Sequence, residues 1–292
     1  MRIGEVSEYI TNWIRNYAND SKIETLIVGV SGGIDSAVVS TLCAKTGLKT
    51  ILLEMPIYQH KDQVSRSKNH ISYLKSKYKN VISDVVDLTE PFDSFIRNIE
   101  NHLNFGDLDN KQLNMANIRS RLRMVTLYSF SNCYKGLVVG TGNKVEDFGV
   151  GFFTIGGDGQ VDISPIADLM KSEVYLLGKH LGVSEDILSA RPTDGLWDDG
   201  KTDEEQIGAT YDELEWAMEF VKENWYLGQG TENGGFLDYD FETNSTIVGS
   251  NPLGLSDRQK TVLQIYIQRH NANKHKMLEI PVCKIPSNLY NV

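Results

Sequence analysis

Residues 27–40 read IVGVSGGIDSAVVS. An apolar run too short for a helix turns through paired glycines into Asp-Ser and a second apolar run. That is a strand, a tight turn and the start of a helix. Further short apolar runs follow at 49–54, 81–86 and 136–140. Helical patterns separate them, at 35–45, about 62–77, and in one or two segments over about 91–134. Strands alternating with longer helices predict a doubly wound, mainly parallel α/β sheet flanked by helices. A helix also opens the chain, because Ile3, Val6, Ile10, Trp13, Ile14 and Tyr17 recur at helical spacing. That stripe serves a core or a dimer contact equally well.

After Gly140 the texture changes to a glycine-rich stretch, GTGNKVEDFGVGFFTIGGDGQVD, ending at Asp162. Helical patterns return at about 171–181, 204–223 and 257–269. Residues 191–202 are polar with Pro, Gly and Asp, which predicts a mobile loop. Residues 226–251, rich in Gly, Asn, Thr and Ser, read as an insertion. Neither internal repeats nor a linker divide the chain, so one domain over residues 1–292 is expected.

The net charge of −10 argues against broad binding to nucleic acid or anionic lipid. No run of about 18 apolar residues occurs, and the first residues lack the apolar core of a leader. Cys43, Cys133 and Cys283 are scattered and odd in number, as reduced thiols are. A cytoplasmic protein with no membrane partner is expected. His60, His70, His102 and His180 are scattered too, so zinc is not expected.

Three readings compete for the glycine turn. Gly29-Val30-Ser31-Gly32-Gly33 matches the nucleophile elbow G-x-S-x-G, with His270 or His275 available as a base. Only about 30 residues precede it, and no HGGG oxyanion loop is present. A Walker A loop needs Lys where Ile34 and Asp35 follow Gly33. The third is Ser31-Gly32-Gly33-Ile34-Asp35-Ser36, the form S-G-G-x-D-S. Its glycines let backbone N–H groups converge on a phosphate, Ser31 and Ser36 add hydroxyls, and the next helix points its positive end at the anion. Asp35 would repel phosphate unless it holds Mg²⁺. The loop therefore resembles that of the ATP pyrophosphatases, and the fold it implies is adenine nucleotide alpha hydrolase-like.

The second half narrows the group. NIRSRLRM spans 117–124, GT-x4-E runs from Gly140 to Glu146, and GFFT and GDG follow. Lys171 lies in DLMKSEV, with Pro192-Thr193, Tyr211-Asp212-Glu213 and His275-Lys276 beyond. In this order the chain resembles the ammonia-dependent NAD⁺ synthetases over about residues 1–215 and 257–286. The resemblance implies a ligase that activates the nicotinate carboxylate of deamido-NAD⁺ as an adenylate, then lets ammonia displace AMP. It implies that residues 31–36 with Gly29 cradle the phosphates, that Thr141 and Thr193 contact ATP, and that Lys171 lies on the phosphates. Asp35 and Glu146 would ligate Mg²⁺. Arg121, Phe152, Asp162, His275 and Lys276 would meet deamido-NAD⁺, with Phe153 near the pyridine ring. Asp158 would help position ammonia, and residues 55–59 would meet adenine. A homodimer is implied as well.

The match departs in two places. The family usually has Lys-Tyr where this chain has Ile155-Gly156, and Pro-Thr-Ala-Asp where it has Pro192-Thr193-Asp194-Gly195. The ATP half is better supported than the acceptor half. Another carboxylate acceptor, or a nucleotide-binding module without catalysis, stays open. Glutamine-using relatives carry an added amidase domain of a few hundred residues, for which 292 residues leave no room. Free ammonia is the expected donor, unless a separate subunit delivers it.

Overall fold

The computed structural model describes residues 1–104, 107–193, 195–196, 202–224 and 254–279, and the backbone of 237–240 and 245–248. Four strands form one parallel sheet: β1 (Thr25–Gly29), β2 (Lys49–Glu54), β3 (Val81–Val85) and β4 (Gly136–Val138), in the order β3-β2-β1-β4. The first helices are α1 (Ile3–Asp20), α2 (Ile34–Lys45), α3 (Lys61–Lys77), α4 (Thr89–Ile99) and α5 (Leu108–Tyr134). Beyond the sheet come α6 (Lys171–Leu181), α7 (Glu185–Leu188), α8 (Asp203–Ile207) and α9 (Tyr211–Asn224). The hairpin β5 (Leu237–Asp240) and β6 (Ser245–Val248) and the helix α10 (Asp257–Asn273) follow.

Strand alternation decides the layers. Leu26, Val28 and Leu52 face one side, where they meet α1, α2 and α6 through Ile14, Val38, Leu42 and Leu177. Ile27, Ile51 and Leu53 face the other, against Phe92 of α4 and Ile118 and Leu127 of α5. Side chains at successive strand positions point to opposite faces, so a sheet covered on both sides needs near-continuous apolar strands. α2 is buried almost all round, because it lies between the sheet and α1 and α6. On α1, Ile10, Ile14 and Ala18 join the core, while Tyr9, Trp13 and Tyr17 stay exposed. A third cluster joins α9, α10 and a π-helical turn at Val145–Val150 through Leu214, Leu263 and Val150.

Three expectations need correction. The segment 204–223 is two helices, because Gly208 ends α8 in the left-handed conformation (φ +91) and Thr210 exchanges capping hydrogen bonds with Glu213. The strand over 136–140 stops at Val138 and continues as one bridge, Val139 to Ile163. The glycine-rich stretch contains the π-helical turn, which no sequence period announced. The mobile-loop reading falls partly, and the insertion reading mostly, outside the described residues. Cys43 is buried and Cys133 exposed, both as free thiols; Cys283 lies outside the described residues.

Between α2 and α3, Ser40 Oγ and His70 Nε2 lie 2.9 Å apart in the core. Burial pushes the His70 pKa down to about 4. The unfolded chain, with its ordinary histidine, binds the proton more readily. Stability is therefore complete above about pH 6.5 and lost as pH falls toward 4, by up to about 3 kcal/mol. Urea titrations at pH 7.5 and 5 should show that loss, and His70→Gln should flatten the slope; an unchanged slope would assign the loss to other groups.

Candidate active site

In a parallel sheet, crevices form beyond the carboxyl ends where strand order reverses. Here β1 connects to β2 on one side and pairs with β4 on the other, so the loops after β1 and β4 diverge. A cavity of about 640 Å³ opens at that point. Its walls include Gly29, Ser31, Gly33, Ile34, Asp35 and Ser36 from the first loop, and Thr141 and Glu146 from beyond β4. Lys171, Thr193, Asp158, Arg121, Phe152, Phe153 and Lys276 complete the predicted residues along it, and Met55, Pro56 and Gln59 line it after β2. Gly32, Asp162 and His275 are not part of the lining.

The loop after β1 is braced from within. Ser36 Oγ donates to the Gly33 carbonyl at 3.0 Å and accepts from Ser31 N at 3.2 Å. Ser31 Oγ lies 3.1 Å from Ser36 Oγ and accepts from Gly33 N at 3.2 Å. Among the described residues no histidine bonds Ser31, so the elbow reading fails on geometry. The histidine that does meet a serine, His70, is buried elsewhere. Gly32 has a packing role that its sequence context did not show. It takes a left-handed φ of +84, and a Cβ there would run into the Gln63 carbonyl of α3, while Arg66 Nε donates to the Gly32 carbonyl at 3.1 Å. This glycine permits the close approach of α3. Gly32→Ala should cost about 2 kcal/mol or more and raise the KM for ATP, because the loop must shift; thermal melts and ATP titrations check both.

Beside the loop, one ammonium joins two carboxylates. Lys171 Nζ lies 2.7 Å from Asp35 Oδ2 and 2.9 Å from Glu146 Oε1. The lysine is 2% exposed. Asp35 stands at the first turn of α2, Lys171 opens α6, and Glu146 comes from the π-helical turn. Tyr211 of α9 donates its hydroxyl to Glu146 Oε1 at 2.6 Å, and Asn143 Nδ2 donates to Asp35 Oδ1 at 3.1 Å. The ammonium also lies over the Tyr211 ring, 4.6 Å from its centre. Burial raises the Asp35 pKa against the pull of Lys171. Glu146 is half-buried and partly desolvated too, yet Lys171 and Tyr211 hold it low. Lys171 is desolvated, but the two carboxylates keep it firmly protonated.

The other end of the cavity is built around Asp158. Its Oδ1 accepts from Ser120 Oγ of α5 at 2.6 Å and from Thr154 N at 3.1 Å. Thr154 Oγ1 in turn donates to Asn117 Oδ1 at 2.5 Å. A side chain at Gly157 would collide with Ser120, so this approach needs glycine. Burial raises the Asp158 pKa, and the Glu146 charge adds to it. Asp147 is raised to about 8, by burial and then by Glu146, Asp158 and Asp35. Arg121 Nε donates to the Ile155 carbonyl at 3.1 Å. Lys276 holds the Gly151 and Phe153 carbonyls and lies over the Phe153 ring.

Asp162 instead ties β4 in place, accepting from Val138 N at 2.7 Å and from the Tyr128 hydroxyl at 3.3 Å. His275 is exposed, on a short turn at Lys274–Lys276. Sequence reasoning passed over Arg123, which donates to the Met55 carbonyl at 3.1 Å and to Gln59 Oε1 at 2.6 Å. Arg119 reaches the Leu196 carbonyl and lies over Phe92. Alternate arginines do not share a helix face, which was the signal that these three do different things. Tyr211 and Ser120 stood in quoted motifs without a role.

The profile described as NAD synthase matches residues 6–235. The chain belongs to the NAD synthase family. It is 37% identical to the NH₃-dependent NAD⁺ synthetase of Carboxydothermus hydrogenoformans over 212 residues, 72% of this chain and 83% of that one. With the Pyrococcus horikoshii enzyme of the same name it shares 40% over 219 residues, 73% and 78% of the two chains. Among solved structures, NMN synthetase from Francisella tularensis superimposes with a TM-score of 0.75 at 27% identity, covering 98% of this chain and 99% of that one. The NH₃-dependent NAD synthetase of Campylobacter jejuni shares the fold, with a TM-score of 0.70 at 23% identity, over 97% and 100%. The chain is thus a C–N bond-forming ligase of the NAD synthase family, built on the same α/β fold.

Proposed function

We propose that the two ends of this cavity divide the reaction between them. The carrying observation is the Asp35–Lys171–Glu146 bridge beside the serine-braced loop, which gathers two carboxylates and a lysine from separate elements onto one point. At this end, backbone amides of the loop, the positive end of α2 and Lys171 bind the triphosphate, with Thr141 and Thr193 alongside. Asp35 and Glu146 fit Mg²⁺: both offer hard oxygens, and they already share one cation. Among the described residues no group of three or more His, Cys, Asp or Glu could hold a metal, so nucleotide oxygens would complete the set. Bound there, the ion would offset charge gathering on the leaving pyrophosphate.

At the other end Arg121 and Lys276 orient the acceptor, with Phe152 and Phe153 beside its ring. The nicotinate carboxylate oxygen attacks the α-phosphorus, and the bond to pyrophosphate breaks. Two anions meet in this step, and the cationic groups lower its barrier by compensating the shifting charge. Asp158 presents Oδ2, the oxygen Ser120 leaves unused, to an N–H of ammonia. The nitrogen attacks the acyl carbon, AMP departs with the former carboxylate oxygen, and nitrogen loses a proton. A single domain, a homodimer and a cytoplasmic location accompany this reading. No described helix is long and apolar enough to cross a membrane.

Deamido-NAD⁺, ATP, Mg²⁺ and ammonium should give NAD⁺, AMP and pyrophosphate in equal amounts. ADP and phosphate would refute adenylation. A second acceptor is favoured by one observation. One of the neighbours that match nearly the whole chain, at 27% identity, is an NMN synthetase, and Ile155-Gly156 leaves no lysine side chain there for a longer dinucleotide. Nicotinate mononucleotide should therefore be tried beside deamido-NAD⁺; the larger kcat/KM identifies the preferred acid.

A further inference from the structure

The bridge poses a problem of its own. The two carboxylates read as metal ligands are already satisfied by a cation, and that cation is a side chain. Lys171 Nζ takes one oxygen from each, at 2.7 and 2.9 Å, in a site where the lysine is 2% exposed. The second Asp35 oxygen accepts from Asn143, and the Glu146 oxygen that meets Lys171 also accepts from Tyr211. A divalent ion arriving alone would meet an ammonium at the point it needs. It would have to drive the lysine from both ion pairs while bringing no anion of its own to receive it. Two buried ion pairs broken at once are costly unless new ones form.

We propose that Lys171 is the resident counter-ion of Asp35 and Glu146 in the nucleotide-free enzyme, and that the divalent ion replaces it only when a polyphosphate takes the ammonium. Metal and nucleotide then bind as one linked exchange: the phosphates gain the lysine while the carboxylates gain the metal. The lysine has two partners in turn, which explains why a phosphate-binding residue is buried against acids here. The exchange also keeps a positive charge against the two carboxylates in the empty enzyme. This inference rests on the reading of Asp35 and Glu146 as metal ligands.

The test uses Mn²⁺ as the probe, followed by its electron paramagnetic resonance signal, without nucleotide. Wild-type protein should bind Mn²⁺ only weakly, and inorganic pyrophosphate should promote a ternary complex in which Mn²⁺ is held on the protein. Lys171→Met should bind one Mn²⁺ roughly tenfold or more tighter without any anion, and Mn²⁺ should raise its melting temperature more than that of wild type. Lys171→Arg, which keeps a cation, should exclude the ion as wild type does. Adding Asp35→Asn to Lys171→Met should abolish the gained site. Tight Mn²⁺ binding by wild-type protein alone overturns the proposal whether or not Lys171→Met folds. Equal Mn²⁺ affinity in a folded Lys171→Met, or a gained site that survives Asp35→Asn, overturns it too. NAD⁺ formation by wild type, assayed in parallel, reports on the functional reading independently of these outcomes.

Discussion

Asp35→Ala should reduce NAD⁺ formation on the order of 10³-fold or more, with AMP and pyrophosphate release falling together. The carboxylate stands at the first turn of α2, within 2.7 Å of Lys171 and beside the loop that faces the triphosphate. Loss of one well-aimed electrostatic group in such a site commonly costs about 3–4 kcal/mol in the transition state. Asp35 is asked to do more, since it both offsets Lys171 and supplies a hard oxygen. The fold should survive, because Glu146 still holds the ammonium at 2.9 Å and Asn143 loses only one acceptor. A stopped assay for AMP, with circular dichroism as the control, decides the matter. Near-normal turnover in a folded variant would remove Asp35 from the chemistry.

Lys171→Ala is expected to be the most disruptive single change, in stability as well as in rate. It strips the buried cation from two half-buried carboxylates. Breaking a buried pair by deleting one partner costs about 3–5 kcal/mol, because the remaining charge lacks compensation. The Tyr211 ring loses its cation contact at the same time. In kinetics the KM for ATP should rise more than that for the acceptor, since Arg121 and Lys276 stand apart from Lys171. An effect confined to the acceptor KM would reverse the assignment of the two ends. Urea unfolding and initial rates at two fixed acceptor levels supply both measurements.

The sheet was legible because its strands are buried on both faces, so apolar runs such as 49–54 stand out without alternation. The turn at 31–36 was legible because glycine and Asp-Ser in that order serve few purposes. What escaped notice has a common cause. The π-helical turn that aims Glu146 has no sequence period, and its neighbours are small residues fitted to distant partners, such as Gly149 against Met218. The packing reason for Gly32 was not visible, since α3 approaches from more than 30 residues away in sequence. Asp162 stood in the right stretch, but its carboxylate is engaged by the β4 backbone. These features depend on tertiary contact, and a single sequence does not display it.

α5 has a consequence for how the substrates meet. Within seven residues of this 27-residue helix, Asn117, Ser120 and Arg121 bond Thr154, Asp158 and Ile155 while Arg123 grips the segment after β2. A helix rises 1.5 Å per residue and resists stretching. It therefore acts as a gauge block, fixing the gap across which carboxylate and α-phosphorus must come into line. Trimming its buried underside, as in Leu127→Ala, should disturb that spacing for both reactants at once, although Leu127 bears no polar group and its neighbours on the helix do the gripping.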